Sequence, residues 1–140
     1  MNAKQDSEKL TKSVLYVADV LLKKFGEFLP YGGYMELNGR NVIVGVKDQN
    51  TEHPKSQDML DALRSSFQQQ ARAKRCRAIA FVVDVTLRSP GSDRKRDAIQ
   101  VGIEHRDGYA VNVFFPYEVV NKKVVYGDRF AEQRKREIFM

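Results

Sequence analysis

The sequence predicts an α+β domain, helices packed on an antiparallel sheet of about five strands, in the order α-β-β-α-β-β-β-(α). Three observations carry this. Residues 78–117 read as three strands in succession, the last two joined by Arg106-Asp107-Gly108. Two stretches, 7–25 and 54–74, repeat apolar residues at three- and four-residue spacing, the mark of a helix with one buried stripe. Asn38-Gly39, between two alternating segments, is the dipeptide best suited to a tight hairpin.

The first helix runs from Ser7 to Phe25 on the stripe Leu10, Val14, Val17, Leu21 and Phe25, capped by Asp6 or Ser7 and closed by Gly26 in a left-handed conformation. After Pro30 comes a hairpin of Tyr31–Leu37 and Asn41–Lys47. A type I′ turn at Asn38-Gly39 sets Leu37 opposite Arg40 and Met35 opposite Val42, so Met35, Leu37, Val42, Val44 and Val46 share the face expected to be buried. His53-Pro54 leads into a second helix from about Pro54 to Lys74, with the stripe Met59, Leu60, Leu63, Phe67 and Ala71.

In the three-strand block, Ile79, Phe81, Val83, Val85 and Leu87 alternate with Ala80, Val82, Asp84 and Thr86. If Gly108 takes the left-handed position of a three-residue turn, His105 pairs with Tyr109, Ile103 with Val111, Val101 with Val113 and Ile99 with Phe115. A two-residue turn would set Ile103 against Asn112 and scramble the apolar face. Residues 119–126 then add a short edge strand, and Asp128 caps a final polar helix through about Ile138.

With 140 residues and 42% hydrophobic content, one domain is expected over 1–140, with 1–6 and 128–140 loosely attached. Such a chain buries roughly two-thirds of its unfolded surface, enough for a core without staples. A single cysteine, Cys76, excludes an internal disulfide and reads as a small buried side chain. No signal peptide or membrane span is present in the sequence, so the expected location is cytoplasmic, with no membrane partner.

The net charge of +6 is unevenly spread. Arg72, Lys74, Arg75 and Arg77 follow the second helix, where cations complement its C-terminus. Arg94, Lys95 and Arg96 occupy a loop, with Lys122-Lys123 and Arg134-Lys135-Arg136 further on. Solvated surface is the reading for all four clusters. The competing one is phosphate contact with nucleic acid, though no helix-turn-helix, zinc finger or RNA-recognition signature accompanies it.

Catalytic chemistry finds little support. His105 neighbours Glu104 and Asp107, but adjacent strand residues point to opposite faces, so a structural histidine is expected. His53, Cys76 and His105 lack the paired spacing of a metal site, and no cofactor or metal is expected. Ser56, Ser65 and Cys76 sit in no nucleophile elbow, and Gly32-Gly33 enters a strand where a phosphate-cradling glycine loop would open a helix. Asp84, Asp97 and Glu104 are expected together on the sheet face opposite the apolar alternation, keeping it soluble.

Aromatic residues supply the candidate partner or ligand surface. Phe25, Phe28, Tyr31 and Tyr34 crowd around Pro30, and core filling competes with a groove as their role. The surface comprises Phe28, Tyr31, Tyr34, His105 and Tyr117.

Two resemblances follow from these patterns. The order of elements resembles the profilin or roadblock/longin arrangement, which implies an architecture that hosts binding platforms, sensors and regulatory dimers. Phe25-Gly26-Glu27-Phe28-Leu29-Pro30-Tyr31-Gly32, Ser56-Gln57, Asp97-Ala98-Ile99, Glu104-His105-Arg106-Asp107-Gly108 and Pro116-Tyr117 together are similar to a family of small uncharacterised bacterial proteins, over roughly residues 25 to 117. The function expected is a small interaction or regulatory module, immunity-like in one version, pairing with itself or another protein. The alternatives are nucleic-acid binding through the basic clusters and a small-molecule sensor or enzyme with its pocket near Tyr31, Tyr34, His105 and Tyr117.

Overall fold

Asn2 opens the first helix. Its side chain accepts the Gln5 N–H at 2.9 Å while the Gln5 side chain accepts the Asn2 N–H at 3.2 Å, a reciprocal capping box. The computed structural model describes residues 2–46, 55–88 and 94–140. Helix α1 spans Ala3–Phe25 and ends as expected at Gly26, whose φ of 79° is left-handed. Its start corrects the expected cap: Asp6 and Ser7 lie inside the helix, 3% and 2% exposed.

Strands β1 (Tyr31–Glu36) and β2 (Asn41–Val44) form the expected hairpin in a different register. Met35 pairs with Asn41 and Tyr34 with Val42, one residue from expectation. Glu36 N–H donates to the Arg40 carbonyl at 2.8 Å, so the loop is Leu37-Asn38-Gly39, with Gly39 at φ 91° and Leu37 47% exposed. The slip moves Val42 and Val44 to the face of Tyr34, opposite that of Met35. It has a physical reason: β1 is covered on both faces, so alternation offered no polar face to exclude the wrong pairing.

Helix α2 (Ser56–Arg72) leads to β3 (Cys76–Arg88), β4 (Lys95–His105) and β5 (Ala110–Val120). The expected Lys47 strand end and the His53-Pro54 helix start lie outside the described residues. Around Arg106-Asp107-Gly108 the pairing is the expected one: His105 N–H donates to the Tyr109 carbonyl at 2.8 Å, Gly108 has φ 102°, and Ile103, Val101 and Ile99 face Val111, Val113 and Phe115.

Past β5 the expected short edge strand forms at Lys123–Tyr126, and the chain then departs from expectation. β6 (Lys123–Tyr126) folds back on the outer half of β5 through Asn121 and Lys122, both at positive φ. β7 (Phe130–Gln133) pairs with the inner half of β5, replacing the expected terminal helix. Phe130 stacks on Phe114 with ring centroids 4.9 Å apart, and residues 134–140 then cross the sheet without helix. Among the described residues seven strands therefore stand where about five were expected, in the order β2-β1-β3-β4-β5-β6, with β7 also paired to β5. The likeness to a profilin or roadblock order of elements loses its closing helix.

The helices take opposite faces. α1 covers Met35, Ala80, Val82, Val101 and Ile103, while α2 covers Ile79 and Phe81 through Phe67. The segments expected to be loosely attached are both tied down, since Asp6 is buried against His105 and Ile138 is buried with Phe67, Ile79 and Phe81.

Candidate functional site

His105 ends β4 on the α1 face and is 1% exposed. Its Nδ1 accepts the Asp107 N–H at 3.0 Å, which leaves the proton on Nε2 to donate to Asp6 at 2.9 Å. Arg77 reaches the other Asp6 oxygen at 3.4 Å. Burial pushes the Asp6 carboxyl up, but the His105 hydrogen bond and the Arg77 charge outweigh it and hold it below the ordinary carboxylate range. Both ring nitrogens are committed, so the arrangement ties helix to sheet and leaves no free base.

The aromatic candidates are dispersed. Phe28 and Tyr31 meet edge to face in the α1 core, where the Tyr31 hydroxyl donates to the Val14 carbonyl. Tyr117, 7% exposed, donates to Asp84 at 2.6 Å. Tyr34 packs half-buried on the α2 side. The five residues therefore fill interior space on both sides of the sheet and line no common pocket.

The expected acidic set divides too. Asp84 and Asp97 lie on the α1 face by register, whereas Glu104 lies opposite and is fully buried. Glu104 Oε1 accepts the Glu137 and Ile138 N–H groups at 3.0 and 2.9 Å, and Oε2 meets Arg134 at 3.1 Å. Arg134 also donates to Asn112 at 3.1 Å and lies 5.0 Å above the Phe81 ring. Glu137 binds Arg64 of α2 at 3.0 Å. Far from solubilising a face, this carboxylate clamps the C-terminal tail.

The basic clusters are also separated. Arg72, Lys74 and Arg75 stand before β3, while Lys95 and Arg96 pair with Arg88 and Leu87 at its far end. A strand of 13 residues spans roughly 40 Å. Arg77 is engaged with Asp6 and with the Leu37 carbonyl. His53 lies outside the described residues, among which no group of His, Cys, Asp or Glu could hold a metal. No helix among the described residues is long and apolar enough to cross a membrane.

One surface stands out. The strands outrun α2, so the outer half of the face opposite α1 lacks a helical cover among the described residues. Pairing puts Val83, Gln100, Phe114 and Phe130 in one row, Val85, Ala98 and Pro116 in the next, and Leu87 with Arg96 in a third. Val83, Val85 and Leu87 are half-buried and join neither buried cluster, while Ala98, Phe114 and Pro116 beside them are buried. Phe130 is 44%, Val120 46% and Val125 54% exposed. Arg96 and Lys123 share the face by register, with Arg94, Lys95 and Lys122 close by in sequence.

Sequence reasoning missed this surface because Val83, Val85 and Leu87 read simply as core. The signal was strand length: β3 has 13 residues and the α2 stripe spans only 59–71. The tail clamp left no comparable signal. Comparison with protein-family models, curated proteins and solved structures finds no match.

Proposed function

We propose that this protein is a binding module that docks a partner protein on the outer half of the sheet face opposite α1 and performs no chemistry of its own. The observation that carries the reading is the row of valines, Leu87 and Phe130 left without a helical cover among the described residues, bordered by Arg96 and Lys123. Apolar patches rimmed by charge mark interaction sites. The rim narrows the partner: Arg96 and Lys123, with Arg94, Lys95 and Lys122 near in sequence, outnumber Glu118 on the same face, so the complement is an apolar patch with an acidic border. Nucleic acid is less well served, because the basic clusters sit at opposite ends of β3 and no stripe joins them.

The test compares capture of binding proteins by the wild type and by Val120→Ser with Val125→Glu, two exposed changes that leave the Phe114–Phe130 stack intact, over a salt series. The reading expects a defined acidic protein that the double variant no longer retains and that salt weakens. The same proteins retained equally by both would refute it.

A further inference from the structure

Between the first half of α1 and strands β5 and β7, on the face away from the docking surface, lies a cavity of about 450 Å³. That is the size of small-molecule pockets. Leu15 walls it, and Ile103, Val111, Val113 and Phe115 line it from the sheet. Ser7 lines it too, 2% exposed, and its Oγ has no hydrogen-bond partner. Thr11, one turn on, donates to the Ser7 carbonyl at 2.7 Å and leaves the Ser7 hydroxyl alone. Buried hydroxyls are nearly always paired, so an orphan at the wall of an apolar cavity marks where a ligand atom belongs.

Charge narrows the ligand. Lys12 and Arg129, both exposed, line the cavity without an ion pair to a described residue, against a single carboxylate, Glu8. We propose that this cavity binds a small carboxylate with an apolar body: the body against Leu15, Val111 and Val113, the carboxylate with Ser7 Oγ and the two cations. An amine would meet Lys12 and Arg129 with the wrong sign, and a neutral alcohol would leave both cations unanswered. The docking surface uses the other face of the sheet, and of the residues named for it Phe130 alone also borders this cavity.

The experiment is an NMR titration of the full chain with decanoate, decanol, decylamine and acetate. Decanoate is expected to move the Ser7, Val111 and Val113 amide signals and to bind about tenfold tighter than decanol or decylamine, with acetate too short to bind. Ser7→Ala should weaken decanoate about fivefold while leaving the ligand-free melting temperature unchanged or higher, because it removes an unpaired buried hydroxyl. A merely structural serine would lower both. Lys12→Glu with Arg129→Glu, at exposed positions that folding tolerates, should weaken decanoate about tenfold or more. The proposal is overturned by no binding at millimolar decanoate, by decylamine matching decanoate, or by affinity indifferent to the charge reversals.

Discussion

Nε2 of His105 lies 2.9 Å from Oδ2 of Asp6, joining the start of the first helix to the end of β4 across 99 positions of sequence. Removing the carboxylate orphans a buried donor and leaves Arg77 with one acceptor fewer. Asp6→Ala should therefore lower stability by ~1–3 kcal/mol. Urea unfolding checks it, and a midpoint equal to wild type would dismiss the pair as a stabilising link.

The same pair sets an acid limb. The folded pKa of Asp6 lies below its unfolded value, so its stabilisation is complete above pH ~4 and fades as the pH falls through the folded value. Asp6→Asn should flatten the pH dependence of the urea midpoint in that window. An unchanged limb would assign the acid sensitivity to other carboxylates.

Truncation after Gln133 removes Arg134 and both tail N–H groups from Glu104, which is 0% exposed. A buried carboxylate left alone costs ~3–5 kcal/mol, with the loss of buried Ile138 in addition. In a Glu104→Gln background the truncation should cost less, because no charge is stranded. Equal costs in the two backgrounds would show that the clamp carries no coupling.

Gly32 and Gly127 make a controlled contrast. A Cβ on Gly32 would stand 2.5 Å from the Ala80 carbonyl oxygen and 2.9 Å from the Phe67 ring, backbone and core that cannot yield. One on Gly127 meets the movable end of Arg96 at 2.6 Å. Gly32→Ala should cost ~1–3 kcal/mol and Gly127→Ala close to nothing, as thermal unfolding will show.

Cys76 is 2% exposed, and burial pushes its thiol up to about 11 against the pull of Arg106. It should resist a thiol reagent at neutral pH and react fully once urea unfolds the chain. Rapid labelling of the folded protein would place the thiol at the surface.

The block from β3 to β5 was legible because its turn glycine and the apolar alternation of Ile99–Ile103 with Val111–Phe115 agree on one register. The first hairpin was half legible: its two strands were plain, but burial on both faces removed the test that separates neighbouring registers. The terminal strand was illegible, since what holds it is long-range, the Phe114–Phe130 stack and the Glu104 clamp. At the candidate sites, Ser7 carried an overlooked sign. It occupies the place in the Leu10 and Val14 stripe where an apolar residue would complete the helix face.

The most direct test of the docking surface is photocrosslinking in the native cells, with a photoreactive residue at Val125 and, as a control, at Ala62, an exposed position of α2. The account predicts one discrete crosslinked protein from position 125, diminished by Lys123→Glu, and none from position 62. Equal labelling from both positions, or none from position 125, would contradict it.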